Sequence, residues 1–233
     1  MVNKAIDKFN GFYPETLEFL INLKINDSKS WFEANRSSYE KYVLTPFKSL
    51  VAELASFMLE IDPQLEVTPA VDKTISRIYR DIRFSKDKSL YKSSVWITFK
   101  RPAQDWKETP CYYFEIMLDG YRYGMGFYNT TKHYMDTLRR KLDEKPGEFL
   151  EAAAAYDRKL FAVEGEKYKR MDCSGKPELI ADFYSRKSFY IVCNKKIDEQ
   201  LFRPELAGEI KAGFQTLKPL YDYLWKVRLE EGI

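Results

Sequence analysis

The sequence has little of what most reaction chemistries need. Histidine occurs once in 233 residues, as His133. A lone imidazole excludes His-rich metal centres and any mechanism that requires two. A Ser/His/Asp or Cys/His set is formally possible, but no stretch resembles a nucleophile elbow, so His133 reads as surface or structural. The three cysteines, Cys111, Cys173 and Cys193, are widely spaced and odd in number. That argues against a disulfide framework and a zinc knuckle, and predicts reduced, partly buried thiols. Glycine is sparse at ten residues, and the Lys-Ser pairs at Lys88 and Lys92 lack the preceding glycine of a Walker loop. Carboxylates are plentiful, yet none fall at paired-acid or EF-hand spacing. No cofactor and no metal are implied.

Long apolar runs are also missing. No stretch approaches the roughly 18 apolar residues of a membrane span, and the start, MVNKAIDKFNGFYPETLEFL, has no apolar run after its early lysines. No cleaved signal and no membrane association are expected, and the location expected is cytoplasmic. The Asn-x-Ser/Thr matches at Asn26, Asn35 and Asn129 then carry no meaning. Oligomeric state has no signature.

What the chain does have is aromatic side chains: 17 Tyr, 16 Phe and 4 Trp, beside a charged fraction of 31%. That mixture suits a folded protein whose tyrosines line either a half-wet core or a cleft. Along the chain, Tyr13 to Leu23 reads as a helix with Pro14 in its first turn. Ser30 with Glu33 reads as a capping box opening a second helix. Thr45-Pro46 reads as the start of a third, whose Phe47, Leu50, Val51, Leu54, Phe57, Met58 and Ile61 follow the 3.6-residue period. From Ser93 the period becomes two. Val95, Ile97 and Phe99 mark a strand, and the alternation on either side of Asp119-Gly120 marks a hairpin. The return strand carries Gly124 and Gly126 on one face, which lets protein or ligand approach its backbone closely. They form no dinucleotide fingerprint, because position 129 is Asn and no helix opens there. Further on, Thr130 or Thr131 caps a helix and Glu148 to Tyr156 forms another. Leu160 to Arg170 reads as a hairpin turning at Glu164-Gly165, Pro177 to Tyr184 as a helix, Ser188 to Cys193 as a strand, and the chain from Pro204 as helical. The expected architecture is a single α+β domain over residues 1–233: N-terminal helices packed on a central, mostly antiparallel sheet, with further helices in the C-terminal half.

One stretch stands apart. Lys73 to Lys92, KTISRIYRDIRFSKDKSLYK, has seven Lys and Arg against two Asp, a net charge of +5 in a chain whose total is +3. Two like charges about 6 Å apart repel by roughly 0.7 kcal/mol in water and nearly 3 kcal/mol at an effective dielectric of about 20. Such a block therefore needs anions, from the protein or from a ligand. Ile75, Ile78 and Ile82 favour a short helix with Arg77, Arg80 and Arg83 on one surface. The alternation of Ile78, Ile82 and Phe84 with Arg77, Tyr79, Asp81 and Arg83 fits a strand; the helix is the preferred reading. After Phe84, the run SKDKS has loop composition and would return Lys86 and Lys88 toward the arginines.

The run R-x-x-R-D-x-R-F-S-x-D-K-x-x-Y-K, taken with the upstream W-F-x-x-N-R-x-x-Y-E from Trp31 to Glu40, resembles the signature of domain-of-unknown-function family 2461, a set of uncharacterised, mostly bacterial proteins. The later Y-Y-F-E-I, the segment Gly124 to Tyr128 and the region of Lys187 follow in the expected order. Leu90 departs from the pattern, which has proline before the tyrosine, so a less rigid loop is expected. The resemblance brings no activity with it and supports one continuous unit.

Three functions fit the block. The preferred one is binding of a small phosphate- or carboxylate-bearing ligand by Arg77, Arg80, Arg83, Lys88 and Lys92, with Asn35, Tyr39, Tyr91 and Tyr128 supplying walls and hydrogen bonds. A nucleic-acid-binding module is an alternative, disfavoured by a pI near 8.5. A protein-interaction module with an acidic partner is another. Against all three stands a structural ion-pair network. The sequence does not say whether a reaction follows.

Overall fold

The computed structural model describes residues 7–81, 83 and 87–230. Pro14 opens α1 (Pro14–Ile25), where its missing N–H costs nothing, and the Thr16 hydroxyl accepts the Tyr13 N–H at 3.2 Å. Helix α2 (Lys29–Ala34) is capped by Ser28, whose hydroxyl accepts the Trp31 N–H at 3.3 Å. The expected box from Ser30 does not form, because Glu33 is held by Arg36 at 2.7 Å. After Asn35 come a single turn, α3 (Arg36–Ser38), a π-helical turn (Tyr39–Leu44) and α4 (Thr45–Ile61).

Thr45 is not a cap either. Leu44 before it is helical, and the Thr45 hydroxyl donates to the Glu40 carbonyl at 2.7 Å. Pro46 therefore sits inside a helical run, with no N–H to give the Tyr42 carbonyl four residues back. The fully buried Thr16 hydroxyl donates to that carbonyl instead, at 2.5 Å. By length and composition the run Arg36–Ile61, which contains an 18-residue window of mean hydropathy 1.2, could cross a bilayer. Its apolar side, Val43, Phe47, Leu50, Val51, Leu54, Met58 and Ile61, is buried in protein, whereas Phe57 is only half-buried.

Strands β1 (Val95–Phe99), β2 (Cys111–Ile116), β3 (Gly120–Gly126), β4 (Ala162–Glu164) and β5 (Tyr190–Lys196) form an antiparallel sheet in the order β1-β2-β3-β5-β4. The fold is α+β, as the change of period implies. Strands β2 and β3 make the hairpin at Asp119-Gly120, closed by Met117 N–H to the Gly120 carbonyl at 2.8 Å. The hairpin expected within Leu160 to Arg170 is absent. Strand β4 pairs instead with β5, Val163 opposite Ile191, and Lys167 bridges to Arg186. The two β3 glycines face β5: a Cβ on Gly124 would lie 1.9 Å from the Ile191 carbonyl oxygen, and one on Gly126 would lie 2.5 Å from Tyr190 Cα. Their close neighbour is a strand of the protein itself.

The chain divides into two compact units. The first comprises Met1–Phe99, Tyr113–Arg122 and Asn194–Lys211. Its core joins α4 to the hairpin through Phe12, which stacks on Phe114 at 5.6 Å and meets Phe47 edge-on at 4.9 Å. The second comprises Lys100–Tyr112, Tyr123–Cys193 and Ala212–Ile233. It contains α5 (Lys132–Glu144), capped by Thr131, then α6 (Pro146–Ala153), α7 (Glu178–Tyr184) and most of α8 (Leu206–Leu229), which runs unbroken through Pro219. Here Tyr112 packs on Phe214 at 4.8 Å and Phe183 on Phe149 and Phe189. The Tyr134 hydroxyl donates to the Leu224 carbonyl at 2.9 Å. Two buried guanidiniums bind this unit internally. Arg139 donates to the carbonyls of Tyr184 and Arg186, and Arg186 to those of Gly165 and Val163 and to Asp182. The three cysteines are free thiols, two of them buried.

Replacing Thr16 by Val removes the hydroxyl that serves both the Tyr13 N–H and the Tyr42 carbonyl while keeping the side-chain shape. A buried orphaned polar group costs about 1–3 kcal/mol. The urea midpoint should fall by a corresponding amount with an unchanged m-value.

Candidate functional site

The described part of the basic block is not helical, and it is extended around Thr74–Ser76 and Ile78–Arg80. Thr74 and Ser76 pair along β1: Thr98 N–H donates to the Thr74 carbonyl at 2.8 Å and Ser76 N–H to the Trp96 carbonyl at 2.9 Å. The chain then changes partner. Lys92 N–H donates to the Ile78 carbonyl and Arg80 N–H to the Leu90 carbonyl, both at 2.9 Å, so that 78–80 and 90–92 form a short antiparallel ribbon. This change explains the misleading helical spacing. Ile75 is buried opposite Ile97 of β1, and Ile78 is buried three residues later after the bend. Ile82, Phe84 and Lys86 lie outside the described residues.

A carboxylate from outside the block shapes the ribbon. Asp27, in the polar run after α1, accepts the N–H groups of Leu90 and Tyr91 on its two oxygens, at 2.8 and 2.9 Å. Leu90 thus uses the N–H that proline would lack, and the segment is tied down where a looser loop was expected. Behind the ribbon, Tyr91 stacks on Phe32 of α2 at 4.8 Å, and Phe32 meets Tyr39 at 5.4 Å.

The cations are distributed unequally. Arg80 is the anchored one, with its side chain 24% exposed. It donates to the Ser89 hydroxyl at 3.0 Å and the Tyr91 carbonyl at 3.5 Å, and pairs with Asp87 at 3.0 Å. The Ser89 N–H and hydroxyl, followed by Arg80 and Lys24, hold the Asp87 carboxyl below its usual range. Arg77 and Arg83 are 65% and 75% exposed; Arg77 pairs with Asp72, and Arg83 takes Asp81 with both ends of its fork, at 2.9 and 2.7 Å. Lys92 differs. Its ammonium donates to the Arg77 carbonyl at 2.7 Å and lies 4.4 Å from the Trp96 ring centroid, and no described carboxylate forms an ion pair with it. Burial, then Arg80 and Arg77, push its pKa down, against a smaller opposing pull from Asp72.

The remaining candidates separate. Lys88 is exposed and engaged. Asn35 spends its amide on the Trp31 carbonyl at 2.8 Å, closing its own helix. Tyr39 and Tyr91 are buried wall residues whose phenols burial pushes up to about 12. Tyr128 belongs to the second unit, where it is exposed beside Trp106 and Lys107. Three residues of the site were missed: Asp27, Trp96 and Arg36, whose guanidinium lies 5.4 Å from the Phe32 centroid. The signal for Arg36 was its place beside Asn35 in the upstream motif.

The two motifs now have a common location. Trp31 to Glu40 supplies Phe32 and Tyr39, and the basic block supplies Tyr79 and Tyr91, all in one aromatic cluster. A family profile described as conserved hypothetical protein (DUF2461) matches residues 15–223. The chain belongs to this family. Comparison with curated proteins finds no match.

Two outcomes are expected for this DUF2461 chain. Asp27→Ala removes the acceptor of two backbone N–H groups on the ribbon, and hydrogen bonds to a charged group are worth about 1.5–3 kcal/mol each. Thermal melts should show a loss of up to about 3–6 kcal/mol for the two bonds together, with hydrogen exchange at Leu90 and Tyr91 accelerated. For alkaline pH the sign follows from Tyr39 and Tyr91. Their phenols titrate near 10 when unfolded and at about 12 when folded. Folding keeps these protons on, so stability is present below pH 10 and is lost as the pH rises toward 12. A series of melts across that interval, with tyrosinate absorbance, checks it.

Proposed function

We propose that this DUF2461 protein binds a small anionic ligand, phosphate- or carboxylate-bearing, on the first unit's ribbon. Lys92 and Arg77 form its centre, Arg83 and Lys88 its rim, and Arg80 sets the ribbon's shape. The observation that carries the reading is Lys92: a half-buried ammonium whose pKa is depressed by burial and by two neighbouring guanidiniums, with a backbone carbonyl where a carboxylate would relieve it. An anion placed there would remove the repulsion. The exposed pairs of Arg77 and Arg83 do not oppose this, since such pairs are worth about 0–1 kcal/mol and yield to a better anion. A cytoplasmic location is part of the same reading, supported by the three free thiols.

The test is the response of stability to inorganic phosphate in the wild type, Lys92→Met and Arg80→Ala. The wild type should melt higher with phosphate: a ligand at ten times its Kd adds about 1.4 kcal/mol. Lys92→Met should match or exceed the wild type without phosphate and gain nothing from it. Arg80→Ala should lose stability in both conditions, because Asp87 and the Tyr91 carbonyl lose their donor. A linkage sign accompanies this. With a folded pKa below its unfolded 10.5, Lys92 penalises the native state at lower pH and ceases to as the pH rises between the two values. That rise should be present in the wild type, absent in Lys92→Met and diminished by phosphate. No phosphate response in the wild type would return the block to scaffolding.

A further inference from the structure

Tyr79 is out of keeping with its surroundings. The other rings of its cluster are buried: Phe32 is 1% exposed, Tyr91 4% and Tyr39 7%, while Tyr79 is 45% exposed. It is nevertheless fixed. Its ring packs on Tyr91, the residue opposite it in the ribbon, at 4.9 Å, and on Phe32 at 5.6 Å. The result is a tyrosine seated on an aromatic base with much of its surface turned to water. Solvation alone does not call for an aromatic ring at such a place.

Its charged neighbours give the surface a direction. Arg77 and Tyr79 are two residues apart and both exposed, while Ile78 between them is buried. From the other side, Arg36 of the helical segment lies against Phe32, the ring on which Tyr79 rests. Tyr79 also appears among the groups that raise the Arg36 pKa, behind Glu33. Among the described residues, the carboxylates that pair with the two guanidiniums are exposed and local, Asp72 for Arg77 and Glu33 for Arg36. A planar platform between two displaceable cations matches a ligand that is itself planar at one end and anionic at the other.

We propose that the ribbon's ligand is a nucleoside phosphate, its base stacked on Tyr79 and its phosphate taken by Arg77 of the anion site and by Arg36. The inference rests on the anion-binding reading above and adds to it the aromatic half of the ligand. The same chemistry occurs in a free mononucleotide and in one residue of a single strand, and salt separates the two. A single strand contributes a slope of about −0.7 in log K against log salt for each phosphate engaged, so a strand tracking the ribbon gives a slope of several units. A mononucleotide gives about one or less.

The experiment measures calorimetric Kd values for inorganic phosphate, adenosine monophosphate and a ten-residue single-stranded DNA, in the wild type, Tyr79→Phe and Tyr79→Leu. Leucine fills similar space without a π face, so the Phe and Leu variants differ in stacking and not in whether the ribbon folds; their melting temperatures confirm that. Base–aromatic stacking of about 1–3 kcal/mol per base corresponds to roughly 5- to 150-fold in affinity. The expected result is adenosine monophosphate at least about fivefold tighter than phosphate in the wild type and Tyr79→Phe. Tyr79→Leu should bring it down to the phosphate value and leave phosphate itself unchanged. Tighter binding of the DNA with a steep salt slope supports the strand as source, and a shallow slope with no gain over the mononucleotide supports the free nucleotide. If phosphate binds and the mononucleotide binds no tighter, the stacking inference is overturned and the anion site stands. If none of the three binds, both fall.

Discussion

Everything around the ribbon is constrained by like-charge repulsion. Arg77, Arg80 and Lys92 lie on two adjacent strands, close enough that both guanidiniums depress the lysine. At protein-surface dielectrics each such pair costs on the order of 1–3 kcal/mol if left alone. The fold answers locally, with Asp72 beside Arg77, Asp87 beside Arg80 and Asp81 beside Arg83. These acids come from the block itself or its immediate flank, so the ribbon carries its own counterions wherever it goes. Asp27 belongs to another element, and it spends its charge on backbone N–H groups rather than on a cation.

This division gives the block an ion-pair scaffold at Arg80 and leaves its other cations to the binding surface proposed above. Arg80 is mostly buried and makes three different kinds of contact, which is what a residue that fixes a turn requires. Arg77 and Arg83 are largely exposed, and ion pairs of that kind add little to stability and can be exchanged. Lys92 has neither arrangement. It is half-buried, its head touches a carbonyl and an indole face, and its charge is unanswered by a carboxylate among the described residues. A carbonyl and a ring are weaker partners for an ammonium than a carboxylate is.

The fold was legible where a single period held over a whole element. The β1 alternation and the apolar row of α4 each predict what forms, and the Asp119-Gly120 hairpin closes where its turn residues put it. Where local signals competed, the sequence misled. Thr45-Pro46 has the chemistry of a helix start, but Pro46 can stay inside a helix because Thr16, about thirty residues away, takes the carbonyl it leaves free. Nothing near Pro46 announces that. Ile75 and Ile78 mimic a helical row because the chain changes pairing partner between them, a tertiary event with no local signature. Gly124 and Gly126 announced a close approach correctly; that the neighbour was β5 depended on a pairing across more than sixty residues.

The same distinction governs the tyrosines, and through them the site. Abundant tyrosine fits a wet cleft or a half-wet core equally well in composition, and burial decides between them residue by residue. Tyr112, Tyr121, Tyr123, Tyr134 and Tyr221 are core residues, and Tyr39 and Tyr91 form the ribbon's floor. Under the proposed function, Tyr39 and Tyr91 shape the surface from beneath. Tyr79, at an odd position between Ile78 and Arg80, was visible in the sequence only as the polar side of an ambiguous strand. It is exposed as Arg77 is, two residues before it, and it is held by Phe32, which arrives from α2, and by Tyr91 opposite it. The pairing of these two facts needs the W-F-x-x-N-R and basic segments to meet in space, and that meeting gives the two motifs a shared physical reason to occur in one chain.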